Sequence, residues 1–184
     1  MRHPSGDYTG PGAWFITIST VSGISLFGTV VNTTMVLNEV GNLVQQCWQA
    51  IPRHFPHVEE DNFVVMPNHL HGILVLRDRR SEQAEAFGRP VPGSVSTIVR
   101  SFKAASTLEA RRMAGDRVVL WQRGFHDRRL WGDRALGAAR RYIDDNPAEW
   151  ERTHGSARTL GRSLVTCVID ASAAVRNRGE PSSW

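Results

Sequence analysis

Hydrophobic positions along the chain follow two periods. "AWFITIST" (residues 13–20) is a β-branched and aromatic run that follows the breaker "GPG", and it predicts a strand. "ISLFGTVV" continues as a short hairpin or a second extended piece. In "MVLNEVGNLVQQCWQAI" the apolar residues Val36, Val40, Leu43, Val44, Cys47, Trp48 and Ile51 recur at helical spacing, with Asn38 as N-cap and Pro52 as stop. "HVEEDNFVVMP" and "HLHGILVL" predict two strands broken by a tight turn at "MPN", and "RDRRSEQAEAFGRPVPGS" reads as a loop. Residues 94–113 return to helical spacing, with Ile98, Phe102, Ala105 and Leu108 or Glu109 along one face. "RVVLWQRGFHDRRLW" is extended and aromatic-rich, and "DRALGAARRYIDDN" predicts a helix capped by Asp133 and ending near Pro147. The order β, helix, β, β, helix, β, helix suits an α+β domain, an antiparallel sheet with helices on one face. The predicted domain takes in residues 1–150. A C-terminal extension, 151–184, has one ambiguous apolar segment at residues 164–175.

Composition narrows the class. The 184 residues suffice for one domain with its own core, and 41% hydrophobic with 22% charged residues describes a globular chain. No apolar run reaches the roughly 18 residues of a membrane span, and "MRHPSGDYTGPG" lacks the apolar region of a secretory signal. The two cysteines, Cys47 and Cys167, are far apart, with Cys47 in an apolar helical pattern; a reducing, cytoplasmic setting is expected.

The net charge of +4 is unevenly spread. Residues 1–76 sum to −3, residues 142–184 to −1, and residues 77–141 to +8, with fifteen basic groups against seven acidic ones. All but one of the 22 basic residues are Arg, whose planar fork matches phosphate, although base composition of the gene also enriches Arg. A basic middle third points to a polyanion, nucleic acid above all.

Within "NFVVMPNHLHGILVL" two histidines, His69 and His71, interrupt an apolar strand. Residues i and i+2 share a strand face, so the two imidazoles point the same way and Leu70 points opposite. Such a pair is half of a site for a divalent metal, completed by an oxygen donor for Mg²⁺ or Mn²⁺; it is equally the pattern of two half-buried histidines bonded to backbone. The chain has two tyrosines. Tyr8 lies in the polar leader, and Tyr142 lies on the last predicted helix, with Asn146 one turn further on the same face. Pro147 disfavours helix at Asn146 and would leave its amide free to turn toward a ligand. An ordinary amphipathic helix with a core tyrosine has the same pattern.

Taken together, "WFITIST", "LNEVGNLVQQCWQAIPRHFP", "FVVMPNHLHGILVL", "SFKAAST", "LWQRGFHDRRL" and "YIDDNPAEW" stand in the order of the single-tyrosine transposases of the His-hydrophobe-His class. The chain most resembles their REP-associated tyrosine transposase branch, over residues 8–150. The resemblance implies a ferredoxin-like antiparallel sheet with helices packed on it, the His pair on a central strand and the tyrosine on the last main helix. It implies cleavage and rejoining of single-stranded, hairpin-containing DNA through a 5′-phosphotyrosine, by a monomer or homodimer. His69 and His71 match the metal-binding pair, Tyr142 the nucleophile, and Asn146 the polar helix residue that helps complete the metal site.

A free phenol has a pKa of about 10 and attacks poorly at neutral pH, so Mg²⁺ or Mn²⁺ polarising a phosphate oxygen is the expected aid. Candidate DNA contacts are Arg100, Lys103, Arg123, Arg128, Arg129, Arg140 and Arg141, any of which is equally a solvated surface charge. Trp121 and Phe125 suit either base stacking or the core, and His126 is a candidate assistant at the site. Two other readings compete. One is a hairpin-binding protein without cleavage activity. The other is a metal-dependent hydrolase with a spectator tyrosine, which would release free 5′ ends with no protein–DNA adduct.

Overall fold

The computed structural model describes residues 11–77 and 93–155. Four strands, β1 (Gly12–Ser19), β4 (Val58–Met66), β5 (His69–Leu76) and β6 (His126–Leu130), form one antiparallel sheet in the order β4-β5-β1-β6. With helices α1 (Glu39–Gln49) and α3 (Val95–Ala114) between the strands, this is the ferredoxin-like arrangement. β2 (Gly28–Val31) and β3 (Thr34–Leu37) form a separate hairpin, α2 (Ile51–His54) is a single turn, and α4 (Gly132–His154) closes the described chain.

One sheet face holds the main core. Trp14, Ile16 and Ile18 of β1 and Leu70 and Leu74 of β5 pack with Val44 and Trp48 of α1 and Ile98 and Phe102 of α3. Gly72 lies under the Trp48 indole, and a Cβ there would stand 2.3 Å from the ring, so only glycine lets the indole lie on the sheet. The other face carries Ile73 and Leu130, covered by Ala139 and Ile143 of α4, with Phe15 and Val75 beside them. Helices therefore cover both faces, not one as the pattern suggested. Part of that second face is apolar as well, with Ala13 and Phe15 of β1 beside Ile73 and Val75 of β5, and a sheet with apolar surface on both sides needs two covers.

Further expectations change. Asp133 does not cap the last helix: it lies in the first turn, after Trp131 at the N-cap. Residues 35–37 pair in the β2–β3 hairpin instead of opening a helix, because Asn32 and Thr33 (φ 51° and 59°) turn the chain tightly between the strands. The helix starts after Asn38, whose side chain accepts from the Gly41 N–H at 2.9 Å; it ends at Gln49, and Pro52 falls in the first turn of α2. On α3 the buried line runs through Ser106 and Ala110, leaving Ala105 and Leu108 exposed. Ser106 is tolerated there because its hydroxyl donates to the Phe102 carbonyl at 2.8 Å and accepts from the Trp121 indole N–H at 2.9 Å.

The last helix does not stop at Asn146. It continues through Pro147 to His154 and so crosses residue 150. Tyr8, residues 78–92, Cys167 and the apolar segment 164–175 lie outside the described residues. Cys47 is half-buried against the core, and burial raises its thiol pKa. Among the described residues no helix is long and apolar enough to cross a membrane.

Candidate active site

The turn between β4 and β5 sets the histidines. The Pro67 carbonyl accepts from the backbone N–H groups of Leu26 and Phe27 (2.8 and 3.1 Å), and the Asn68 carbonyl accepts from Thr20 N–H at 2.9 Å. With the turn held by three backbone bonds, β5 opens on His69, opposite Ser19 of β1, and His71 falls opposite Thr17. The ring centroids of His69 and His71 are 4.5 Å apart. The shared face is as the alternation predicts, and Leu70 is buried in the core on the other side.

Each imidazole has an oxygen partner on Nδ1. Asn68 Oδ1 lies 2.7 Å from His69 Nδ1, and Thr17 Oγ1 lies 2.8 Å from His71 Nδ1. Burial holds His71 neutral, with a pKa pushed down to about 3, and the neighbouring His69 adds to that. Burial also lowers His69, opposed in part by a hydrogen bond to the Asn146 side chain.

Helix α4 supplies the other half. Tyr142, Asn146, Trp150 and His154 recur every fourth residue, a ridge along one side of the helix. Tyr142 is 52% exposed, and its ring meets His71 (centroids 5.2 Å) and Phe15 (5.8 Å) edge-on. Asn146 is buried at 8% exposure. Its amide is therefore set by helix packing on the sheet, and not freed by a helix end as the proline suggested.

Polar clamps fix the helix along its length. A bulge in β4 between Glu60 and Phe63 breaks the pairing at Asp61 and Asn62. There Asp61 takes both Nε and Nη2 of Arg140 (2.9 and 2.6 Å), while Asn62 Nδ2 donates to Asp144 Oδ1 at 2.7 Å. The hydrogen bond from Arg140 is the main cause of the lowered Asp61 pKa. Nearer the C-terminus, the Glu151 carboxylate accepts from the N–H groups of Asn32 and Thr33 at 3.2 and 2.8 Å, binding the tip of the β2–β3 hairpin.

The expected DNA contacts divide by place. Arg128 lies on the histidine face, opposite Phe15 in the ladder, with its guanidinium 5.9 Å from the Phe15 ring that also meets Tyr142. His126 pairs with Thr17 on that same face and is exposed. Arg141 is exposed on α4, next to Tyr142 in sequence. Arg140 is held by Asp61. Arg129 lies over the rings of Trp14 and Trp131 and donates to the Pro11 carbonyl. Lys103 gives two of its three donors to the carbonyls of Gln122 and Gly124 (2.7 and 2.9 Å), and burial lowers its pKa. Arg100 and Lys103 line a groove on α3, which packs on the opposite sheet face, and Arg123 is exposed on the loop before β6. Trp121 and Phe125 pack with the core.

Thr17, Asn68 and Trp150 are site neighbours that the motif reading passed over. Trp150 had a signal, its four-residue step from Asn146. Thr17 had a weaker one: a hydroxyl two residues from Phe15 on the strand face that excludes Ile16 and Ile18.

No family model matches the chain. An uncharacterized protein of Haemophilus influenzae is 37% identical over 155 residues, which cover 79% of this chain and 86% of that protein. Among solved structures, a REP-associated tyrosine transposase bound to a REP hairpin matches with a TM-score of 0.54 at 19% identity, over 81% of this chain and 74% of that one. A putative transposase from Deinococcus radiodurans R1 matches at a TM-score of 0.45 and 15% identity, over 79% and 97%. The chain thus belongs to the same family as the Haemophilus influenzae protein, and it has the α+β fold of the REP-associated tyrosine transposase.

Proposed function

We propose that this protein cuts and rejoins single-stranded DNA beside a hairpin, through a covalent 5′-phosphotyrosine at Tyr142. The observation that carries the reading is the exposed Tyr142 phenol set edge-on against His71, beside a second neutral imidazole. A half-exposed tyrosine against one of two adjoining neutral histidines is poorly explained by packing alone. The solved transposase of the same fold is bound to a REP hairpin, which supports hairpin DNA as the substrate class.

The donor set fits a divalent cation. Metal ligation needs a neutral imidazole with a free lone pair, and the Nδ1–H tautomer leaves Nε2 available. Asn68 Oδ1 and Thr17 Oγ1 can both accept from that tautomer. Among the described residues no group of three His, Cys, Asp or Glu converges, so the oxygen donor from the protein would be the Asn146 amide beside His69. Two imidazoles and a neutral oxygen suit Mn²⁺ better than Mg²⁺. When bound, the cation supplies Lewis-acid polarisation of a phosphate oxygen.

The protein groups do the rest. Tyr142 Oη attacks phosphorus, the P–O3′ bond breaks, the phenolic proton passes to water and the leaving 3′ oxygen takes up a proton. The 5′ end remains on Tyr142, and a 3′-hydroxyl reverses the step by displacing the tyrosine oxygen. Arg128, close to the same Phe15 ring as Tyr142, is the cation best sited to hold a flanking phosphate. The test is a denaturing gel of protein incubated with Mn²⁺ and a labelled hairpin, taken from DNA flanking the gene with its unpaired linker. A covalent adduct at Tyr142 is expected, and free 5′ ends without an adduct would replace this reading with simple hydrolysis.

A further inference from the structure

The ridge on α4 extends past the residues used above. One turn beyond Asn146, the half-buried Trp150 indole lies 5.9 Å from the His69 ring. His154, one turn further and exposed, lies parallel on that indole, with centroids 4.0 Å apart and planes within 10°. His69, Trp150 and His154 thus form a row of rings that begins at the histidine pair and runs outward. Nothing in the phosphotyrosine chemistry requires it.

Tyr142 and Trp150 flank the histidine pair at its two ends, one against His71 and the other against His69. Eight residues of helix separate them by about 12 Å, room for a phosphodiester and one nucleoside. In a displacement at phosphorus the attacking and leaving oxygens lie roughly in line, on opposite sides. With Tyr142 attacking from the His71 end, the leaving 3′ oxygen and its nucleoside lie toward Trp150.

We infer that Trp150 and His154 form a stacking platform for the unpaired nucleobase immediately 5′ to the scissile phosphate. This rests on the phosphotyrosine reading and adds to it a subsite for the departing strand. A base stacked there keeps the released 3′-hydroxyl beside the phosphotyrosine, so that rejoining competes with loss of the strand. Stacking on aromatic rings accepts any base, so the platform holds without reading sequence.

The test first maps the cleaved bond from the adduct formed by wild-type protein on the flanking-DNA hairpin. The fluorescent base 2-aminopurine is then placed at each unpaired position in turn. Binding is followed in the Tyr142→Phe protein, which cannot cut. The strongest quenching is expected at the position 5′ to the scissile phosphate. Trp150→Leu, which keeps apolar bulk, should abolish that quenching and weaken binding by about five- to a hundredfold, while Trp150→Phe restores part of both. An abasic site at the same position should weaken wild-type binding and leave Trp150→Leu unaffected. Circular dichroism of the two Trp150 variants checks that α4 is intact, and the abasic comparison in wild-type protein needs no variant. If an adduct forms but quenching is strongest 3′ to the cut, or survives in Trp150→Leu, the platform is wrong and the nucleophile stands. If no adduct forms on any hairpin, the proposed function fails and the platform with it.

Discussion

Thr17 Oγ1 lies 2.8 Å from His71 Nδ1, across the ladder between β1 and β5. That one contact orients a buried imidazole from a strand 54 residues away. Thr17→Val keeps the shape and removes the hydroxyl. It should weaken Mn²⁺ binding by about 10- to 100-fold, the usual cost of losing an outer partner of a ligating histidine. Isothermal titration with Mn²⁺ measures this without DNA, and unchanged affinity would remove Thr17 from the site.

Tyr142→Phe should abolish the covalent adduct and leave hairpin binding within about twofold. The ring contacts to His71 and Phe15 survive the change, and the lost hydroxyl belongs to a residue that is half exposed. An adduct that persists in the Phe protein would shift the nucleophile elsewhere, with Tyr8 as the other tyrosine of the chain.

His69→Ala and His71→Ala should each lose cleavage. Chelator should do the same to wild type, with Mn²⁺ restoring only the wild-type protein and doing so at lower concentration than Mg²⁺. Asn146→Ala should be milder, since water can replace a neutral oxygen donor. Cleavage that survives chelation would rule out a metal on this pair.

The metal-free protein should lose stability in mild acid. The pKa of His71 is about 3 when folded, against 6.5 for the ordinary side chain. Between those values the unfolded chain binds a proton that folded His71 does not, so stability falls as pH drops from about 6.5 toward 3. Each such proton contributes at most about 1.4 kcal/mol per pH unit. Urea unfolding at pH 7, 5.5 and 4.5 should therefore show a shallower decline for His71→Gln than for wild type. Parallel curves would mean that the imidazole is not held neutral by burial.

Single-strand binding should weaken with salt, by about 0.7 in the log–log slope for each phosphate held. Arg128→Ala should remove about one contact's worth of slope. Arg140→Ala should leave the slope unchanged and lower the melting temperature, because its guanidinium is held by Asp61 and so fixes α4. Salt titrations by fluorescence anisotropy separate the two, and equal slopes for wild type and Arg128→Ala would take Arg128 out of the interface.

What was legible in the sequence was what repeats at short range. His69 and His71 share a face through the strand period, and Tyr142 and Asn146 share one through the helix turn. Both relations hold in the structure whatever the remainder of the chain does. The contacts that complete the site span long separations: Thr17 to His71, Asp61 to Arg140 and Asn32 to Glu151. They depend on strand pairing and on which sheet face α4 covers, and periodicity carries neither. Pro147 misled for a related reason. A proline removes one helical hydrogen bond, and here packing of Ile143 and Asn146 against the sheet holds the helix past it.

The placement of α4 on its own sheet face also sets an order of assembly. Ribosomes deliver the strands, the main core and both histidines before any residue of this helix. Its tethers, Asp61, Asn62 and the tip at Asn32 and Thr33, are already in place when Arg140, Asp144 and Glu151 arrive. A nascent chain therefore carries the histidine pair before it carries Tyr142. On the phosphotyrosine reading, a product truncated ahead of Gly132 carries both histidines without Tyr142 and so forms no adduct at that residue.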